Sequence, residues 1–338
     1  MIVIDCIYIN NGGGKVLLDY LVDTIENTNL SVLYLFDNRI KKHYSIKSSN
    51  EALYMKPSLR SRFLFYLKNQ QRISKVFVLG NIPPLLRIEN ATVYTYFHNT
   101  IYLDVPNDFS LIEHIKYYFK VLIIKMVSRN TNFWIVQTNE VYFQFIQKFK
   151  QKNKIKIIPF FSEFKEKEGI SCSRIQNTFL YVSNGQANKN HIRLIKAFCK
   201  AYDISGKGEL ILTVGENFSE IVLLIEEMQN KGYPIHNLGL VEREDLRKIY
   251  LSSEYIIYPS LSESFGLGLL EGGNQGCKII GADLPYTYSI CEPSLVFNPF
   301  SENSIRDVII SALNSCQVGS KIKVRDQINE IVFLLRKK

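Results

Sequence analysis

Hydrophobic and polar positions along this chain alternate between two kinds of segment. Short runs rich in Val, Ile, Leu, Phe and Tyr recur at 2–8, 31–36, 75–79, 92–97, 133–137 and 154–159. A second series follows at 178–183, 209–214, 236–240, 254–259, 278–281 and 294–297. Between them lie stretches whose apolar residues fall three and four apart, at 15–26, 111–127, 141–150, 191–201, 217–230, 243–251, 267–275 and 304–315. Continuous apolar strands separated by helices predict a parallel sheet covered on both faces. The pattern occurs twice, so two doubly wound α/β domains are expected, 1–162 and 163–320. The polar, charged seam at 161–177 reads as the linker. The last stretch, 321–338, reads as a helix with Ile328, Val332 and Leu335 on one face, returning toward the first domain. Paired sheets of this kind place ligands at a cleft facing the C-terminal ends of their strands, so the loops that follow strands are where chemistry is sought.

Composition narrows this picture. The chain has 338 residues, 46% of them hydrophobic, and no apolar stretch near the length of about 20 that a spanning helix needs. The first residues carry no basic leader or small-residue cleavage site and read as a strand rather than a signal peptide. Six scattered cysteines, none in C-x-x-C spacing, predict free thiols in a reducing cytoplasm. Charge is one-sided: residues 1–165 carry 22 Lys and Arg against 12 Asp and Glu, whereas 166–338 carry 19 against 20. A basic first half suits an anionic partner, whether a phosphate-rich substrate, a membrane surface or a nucleic acid, or is simply a basic soluble surface. No RNP, KH or helix-turn-helix signature supports nucleic acid. Two stretches mix Lys and Arg with aromatic and aliphatic residues. The one at 113–129 is expected to pack its wide apolar face on its own sheet. The one at 59–76 fits a packed helix and a membrane-facing one equally, with Arg60, Arg62 and Lys68 as the cations that would meet lipid.

Four loops carry candidate chemistry. Residues 258–273 read YPSLSESFGLGLLEGG: a strand end, a polar loop, then a helix opened by Gly266. The unpaired N–H groups of such a helix start suit a diphosphate. Glu263 and Glu271 flank the turn with seven residues between them. Eight helical steps are roughly 12 Å, about the reach from sugar to ribose in an extended nucleotide sugar. Carboxylates accept paired hydrogen bonds from vicinal hydroxyls, which both ends of that ligand offer. Residues 181–191, YVSNGQANKNH, place Lys189 at a helix start, where it would neutralise a leaving diphosphate, with Asn184 in the same loop. Residues 10–15, NNGGGK, permit a tight turn after the first strand but match neither a dinucleotide fingerprint nor a P-loop. His98, in FHN at 97–99, stands at a strand end, where it is either functional or a loop histidine.

Taken together these segments resemble the large family-four group of retaining glycosyltransferases with the GT-B fold, many of which build bacterial surface polysaccharides. The resemblance spans nearly the whole chain. It rests on the E-x7-E element from Glu263 to Glu271, supported by NNGGG at 10–14, FHN at 97–99, VQT at 136–138, KNH at 189–191, LGLV at 238–241 and DLPY at 283–286. It implies two Rossmann-like domains facing across a cleft and sugar transfer from a nucleotide-sugar donor, a UDP-sugar in preference to a GDP-sugar, to a glycan acceptor, a polyprenyl-diphosphate-linked one being expected. It implies that Glu263 stabilises positive charge at the anomeric carbon and that Glu271 holds the ribose. Lys189 and the backbone around Ser264, Phe265, Gly266 and Leu267 would bind the diphosphate. Leu240 and Val241, following a strand ending in LGL, would meet the base. Gly13 and Gly14 would shape the acceptor side, and His98 would touch the donor sugar or the reacting hydroxyl. One position departs from the pattern: relatives often place an Arg five residues before the motif Lys, and here that residue is Asn184, leaving Arg193 or another residue to substitute.

No D-x-D pair or metal-ligand cluster stands in the sequence, so neither a cofactor nor a metal is expected. The expected mechanism is front-face transfer with retention. The enzyme is expected in the cytoplasm, peripherally at the inner face of the membrane. The competing readings are a GT-B-like scaffold that has lost catalysis, a nucleotide-sugar epimerase, for which no extra acid/base carboxylates can be placed, and a nucleic-acid binder.

Overall fold

The computed structural model describes residues 1–40, 44–105, 109–150, 154–164 and 173–337. The chain divides into two compact units after Ser162, and from Arg325 on it rejoins the first.

The first unit holds a seven-stranded sheet of β1 (Ile2–Cys6), β2 (Val32–Asp37), β3 (Glu51–Met55), β4 (Lys75–Val78), β5 (Thr92–Phe97), β6 (Phe133–Val136) and β7 (Ile155–Ile157), in the order β3-β2-β1-β4-β5-β6-β7. Every pairing is parallel. The central strands are buried on both faces, which is why β2 reads VLYLFD without polar alternation. Helices α1 (Gly12–Glu26), α2 (Leu59–Asn69), α3 (Leu111–Val127) and α4 (Asn139–Phe149) follow β1, β3, β5 and β6. Strand order reverses between β1 and β4, the switch point where ligands gather in such sheets. Strand β3 escaped the periodicity because it is a half-exposed edge strand opening on Glu51.

The second unit repeats the plan. Its sheet comprises β8 (Ile175–Tyr181), β9 (Glu209–Leu212), β10 (Ile235–Asn237), β11 (Ser253–Tyr258) and β12 (Lys278–Ala282), followed, past the short β13 (Cys291–Glu292), by β14 (Leu295–Phe297). The order is β10-β9-β8-β11-β12-β14, all parallel. Helices α5 (His191–Ser205), α6 (Ser219–Asn230), α7 (Arg243–Ser252), α8 (Leu267–Asn274), α9 (Pro285–Ile290) and α10 (Glu302–Asn314) complete it. Here the switch point falls between β8 and β11.

Several expectations change. The C-terminal helix, α11, covers Ile328–Arg336 rather than all of 321–338. Lys321–Ile322 is instead β15, antiparallel to β13. The charged KVRDQ between them has no helical period, and Asp326 fixes the helix start by accepting the N–H groups of Ile328 and Phe161. Ile328, Ile331 and Leu335 join Ile4, Leu18 and Phe36 in the first unit's core. Arg62 does not face outward: it is fully buried on Asp5. Helix α3 packs on its own unit through buried Val121, Ile124 and Val127 with half-buried Tyr117 and Ile123, but leaves Leu111, Ile112, Ile115, Tyr118, Phe119 and Met126 exposed. Part of the expected linker, 165–172, lies outside the described residues, Cys172 included, and 175–177 already belong to β8. The five described cysteines are free thiols, four of them buried. Among the described residues no helix is long and apolar enough to cross a membrane.

Candidate functional site

In the second unit β8 and β11 are neighbours with Tyr255 beside Phe179 and Ile256 beside Leu180, so the loops that leave them emerge side by side. Side chains staple the two loops together. Leu261 donates its N–H to the Asn188 carbonyl (2.8 Å), and Asn188 Nδ2 donates to the Ser262 carbonyl (3.2 Å). Asn190, held at φ +61 as the cap of α5, donates to the carbonyls of Pro259 and Pro299. The Tyr181 hydroxyl reaches the Lys189 carbonyl and Ser260 Oγ, and the Tyr286 hydroxyl donates to the Ser260 carbonyl. Lys189 and Glu263 are thereby brought together.

Lys189 Nζ donates to Glu263 Oε1 at 2.6 Å, and the Tyr258 hydroxyl donates to the same oxygen at 3.0 Å. Burial raises the Tyr258 phenol well above its usual value, with the Glu263 charge adding to this, so it stays protonated and donates. Gly266, at φ +71, turns the chain into α8. A side chain there would be strained in the left-handed region. Ser264 and Phe265 precede it, Phe265 buried, and Leu267 opens the helix with its unpaired N–H groups.

Glu271 is buried, only 6% exposed. Gly272 allows this: a Cβ there would come within 2.2 Å of Ile256, so α8 presses directly on β11. Burial raises the Glu271 carboxyl above its ordinary value, and Arg243 pulls it back down. Arg243 donates to Oε1, and the Tyr250 hydroxyl to Oε2 at 3.1 Å. The Arg243 guanidinium also lies over the Phe164 ring, 4.7 Å from its centre. Neither Arg243 nor Tyr250 was found from sequence. Arg243 sits in a charged run, VEREDLRK, where nothing marks one cation out.

The remaining predicted residues of this unit scatter more widely. Asn184 is exposed, its Oδ1 accepting the Gln186 N–H. Arg193 donates to Asn190 Oδ1 and the Pro299 carbonyl. Strand β10 ends at Asn237, so LGLV is loop, with Gly239 at φ +66. Leu240 stands 88% exposed in that loop, and Val241 is half-buried. His191, which had no assigned role, is buried against the Tyr181 ring with both ring nitrogens unpartnered. Burial, then the Lys189 charge, lowers it to about 3.

In the first unit, residues 12–14 are not a turn before the helix but its first turn, with Asn11 as cap and Gly12 at φ +61. Gly13 faces open space. Gly14 packs on His98, whose Cε1 would lie 3.2 Å from a Cβ added there. His98 Nε2 lies 2.9 Å from the Leu79 carbonyl, which can only accept, so Nε2 carries the proton and a neutral ring keeps its lone pair on Nδ1. Burial lowers the ring to about 4, outweighing its backbone hydrogen bonds. Asn81 at φ +66, missed by sequence reasoning, accepts the His98 N–H at 2.7 Å. Its signal was the polar residue after β4, at the switch point. Among the described residues no three His, Cys, Asp or Glu side chains gather as a metal-holding group.

Residues 162–323 match the family described as glycosyl transferases group 1. O-antigen chain mannosyltransferase B of Escherichia coli is 28% identical over 142 residues, 41% of this chain and 37% of that relative, so the chain spans little more than a third of it. WaaG, a glycosyltransferase involved in lipopolysaccharide biosynthesis, shares the fold at TM-score 0.70 and 14% identity, covering 93% of this chain and 91% of that one. Anabaena HepE, solved with UDP and glucose, does so at TM-score 0.67 and 14% identity, covering 93% and 90%. The two parallel sheets with their flanking helices are thus those of the GT-B fold.

Proposed function

We propose, from the match of residues 162–323 to the glycosyl transferases group 1 family, that this chain is a retaining glycosyltransferase using a nucleotide-sugar donor. One observation carries the reading: at the switch point of the second sheet, two carboxylates eight residues apart each hold a cation of their own, Glu263 with Lys189 and Glu271 with Arg243. Glu263 meets the sugar and stabilises the oxocarbenium-like centre. Glu271 accepts the ribose hydroxyls. Lys189 and the N–H groups opening α8 take the leaving diphosphate, without a metal. Leu240 and Val241 close over the base. Ser264, Phe265, Gly266 and Leu267 supply the diphosphate loop, and Asn184 contributes a neutral donor where relatives carry Arg.

In the transfer step the acceptor hydroxyl oxygen bonds to the anomeric carbon as the bond from that carbon to the phosphate oxygen breaks. The departing oxygen takes the hydroxyl proton. In the first unit, His98 offers Nδ1 as a hydrogen-bond acceptor for the donor sugar or the reacting hydroxyl, Gly14 packs on its ring, and Gly13 leaves open space on the acceptor side. The donor proposed is a UDP-sugar, supported by the UDP in HepE. The acceptor proposed is a lipid-linked glycan of a surface polysaccharide, supported by the O-antigen and lipopolysaccharide relatives.

The test is thermal stabilisation by UDP, GDP and their sugar conjugates in EDTA, with Glu271→Ala beside the native protein. Selective stabilisation by UDP conjugates, weakened in the variant, is expected. No stabilisation by any nucleotide would point to a GT-B relative without catalysis. Product of inverted anomeric configuration would remove the retaining mechanism.

A further inference from the structure

Arg193 has no part in the transfer step, yet it is tied into the loops that hold Lys189 and Glu263. It lies half-buried in the first turn of α5. Its Nη1 donates to Asn190 Oδ1 and, at 3.2 Å, to the Pro299 carbonyl. Asn190 stands between the turn Ala187–Lys189 and α5 in the left-handed region, only 7% exposed. Asparagine tolerates that backbone better than most residues with a side chain. Its Nδ2 donates to the Pro259 carbonyl at 3.1 Å and to the Pro299 carbonyl at 2.8 Å. Pro259 follows β11 and Pro299 lies just past β14. One amide thus joins the start of α5 to the segments leaving two strands.

The orientation of that amide is decisive. Turned over, it would face Oδ1 toward two carbonyls, which can only accept, and both bonds would be lost. A guanidinium can only donate, so Arg193 admits Oδ1 alone on its side. Arg193 therefore selects the orientation in which Asn190 bridges the carbonyls. We propose that Arg193 is a positioning residue of the diphosphate site, acting through Asn190 to hold Lys189 and the loop that carries Glu263 at their 2.6 Å contact. The staples from Leu261 to Asn188 and from Asn188 to Ser262 join only the loops after β8 and β11. The Asn190 amide adds α5 and the segment after β14. Because Asn190 follows Lys189 directly, a rotated amide would shift the backbone of the lysine itself. This role deepens the reading of Lys189 as the cation on the leaving diphosphate and rests on it for its effect on binding. The hydrogen-bond geometry needs no ligand.

The test is equilibrium titration with UDP and with uridine, which lacks the diphosphate. Arg193→Met should weaken UDP about tenfold, the scale of one hydrogen bond to a charged group, and leave uridine within about twofold. Arg193→Lys, which can still only donate, should recover most of that loss. Asn190→Gly keeps the left-handed backbone and removes the amide, so it should weaken UDP as much, and adding Arg193→Met to it should cost nothing more. Losses that add would mean that Arg193 meets the ligand directly, and would overturn the proposal. So would equal losses for UDP and uridine, or undiminished UDP affinity in Arg193→Met. A crystal structure of ligand-free Arg193→Met separates this role from the donor reading. The Asn190 amide should be turned there and Lys189 displaced from Glu263, whether or not the native protein takes UDP. A Lys189–Glu263 pair still at hydrogen-bond distance would sink the positioning role, whereas a native protein that binds no nucleotide would sink the donor reading alone.

Discussion

Lys189 Nζ stands 2.6 Å from Glu263 Oε1, joining the loop after β8 to the loop after β11. Both side chains are largely buried, so neither charge is left to water. A diphosphate arriving beside Lys189 would share this cation with Glu263 and leave the carboxylate free to face positive charge on the sugar.

The pair predicts a split between two variants. Lys189→Gln should remove both nucleotide-induced stabilisation and turnover. Glu263→Gln should keep nucleotide binding and lose turnover by about a hundredfold or more, the scale of losing one charge-stabilising group. Isothermal titration with UDP beside a transfer assay reads both. Undiminished turnover in Glu263→Gln would remove that residue from the chemistry.

Arg243 predicts a pH effect. Burial raises the Glu271 carboxyl and Arg243 opposes it. In Arg243→Gln the burial that raises it is opposed only by the Tyr250 hydrogen bond, so Glu271 should hold its proton to higher pH and accept ribose hydroxyls poorly. Affinity for UDP should fall in that variant and fall further from pH 8 to pH 6, while the native protein changes little over the same range. Parallel pH profiles for the two proteins would show that Arg243 does not keep Glu271 ionised.

The alternation of apolar strands with helices was legible because a parallel sheet buried on both faces leaves no room for polar residues. Elements at the edges, such as β3 and β15, carried too little burial to leave a pattern. Glu263, Glu271 and Lys189 could be proposed from sequence because strand-to-helix segments confine them to short stretches. Their partners were not: Arg243 reaches Glu271 across 28 positions and Asn81 reaches His98 across 17, and such contacts exist only after the sheet orders its strands. Exposure was the other blind spot. Periodicity reports that α2 and α3 are amphipathic, but not that Arg62 turns inward to Asp5 while Ile115 and Phe119 turn out.

The two depressed histidines set an acid limit. His98 is lowered to about 4 and His191 to about 3, each by burial, against an unfolded value near 6.5. Below about pH 6.5 the unfolded chain takes up these protons and the folded one does not, so stability is full above that pH and falls as pH drops toward 4. The melting temperature should therefore decline from pH 7 to pH 4.5, and less so in His191→Phe. Because His98 stays neutral through this window, turnover should show no inflection near 6.5 from that group. An inflection that disappears in His98→Asn would contradict the neutral assignment.

Asp5, Arg62 and Tyr66 form a fully buried cluster at the end of β1. Arg62 Nε and the Tyr66 hydroxyl each donate to Asp5 Oδ2 at 2.6 Å, and Asp5 Oδ1 accepts the Ile7 N–H at 3.3 Å. The cluster thus fixes the backbone that leads from β1 into the glycine-rich start of α1. Taking one partner from a buried ion pair leaves an uncompensated charge, which costs about 3–5 kcal/mol. Arg62→Met should therefore destabilise the chain by that order in urea unfolding. Replacing both charges, Asp5→Asn with Arg62→Met, should recover part of the loss, since the stranded carboxylate is gone and an amide can still bond Tyr66 and Ile7. A double variant as unstable as the sum of the two single changes would mean that the residues act independently and that packing, not the ion pair, holds this end of the strand.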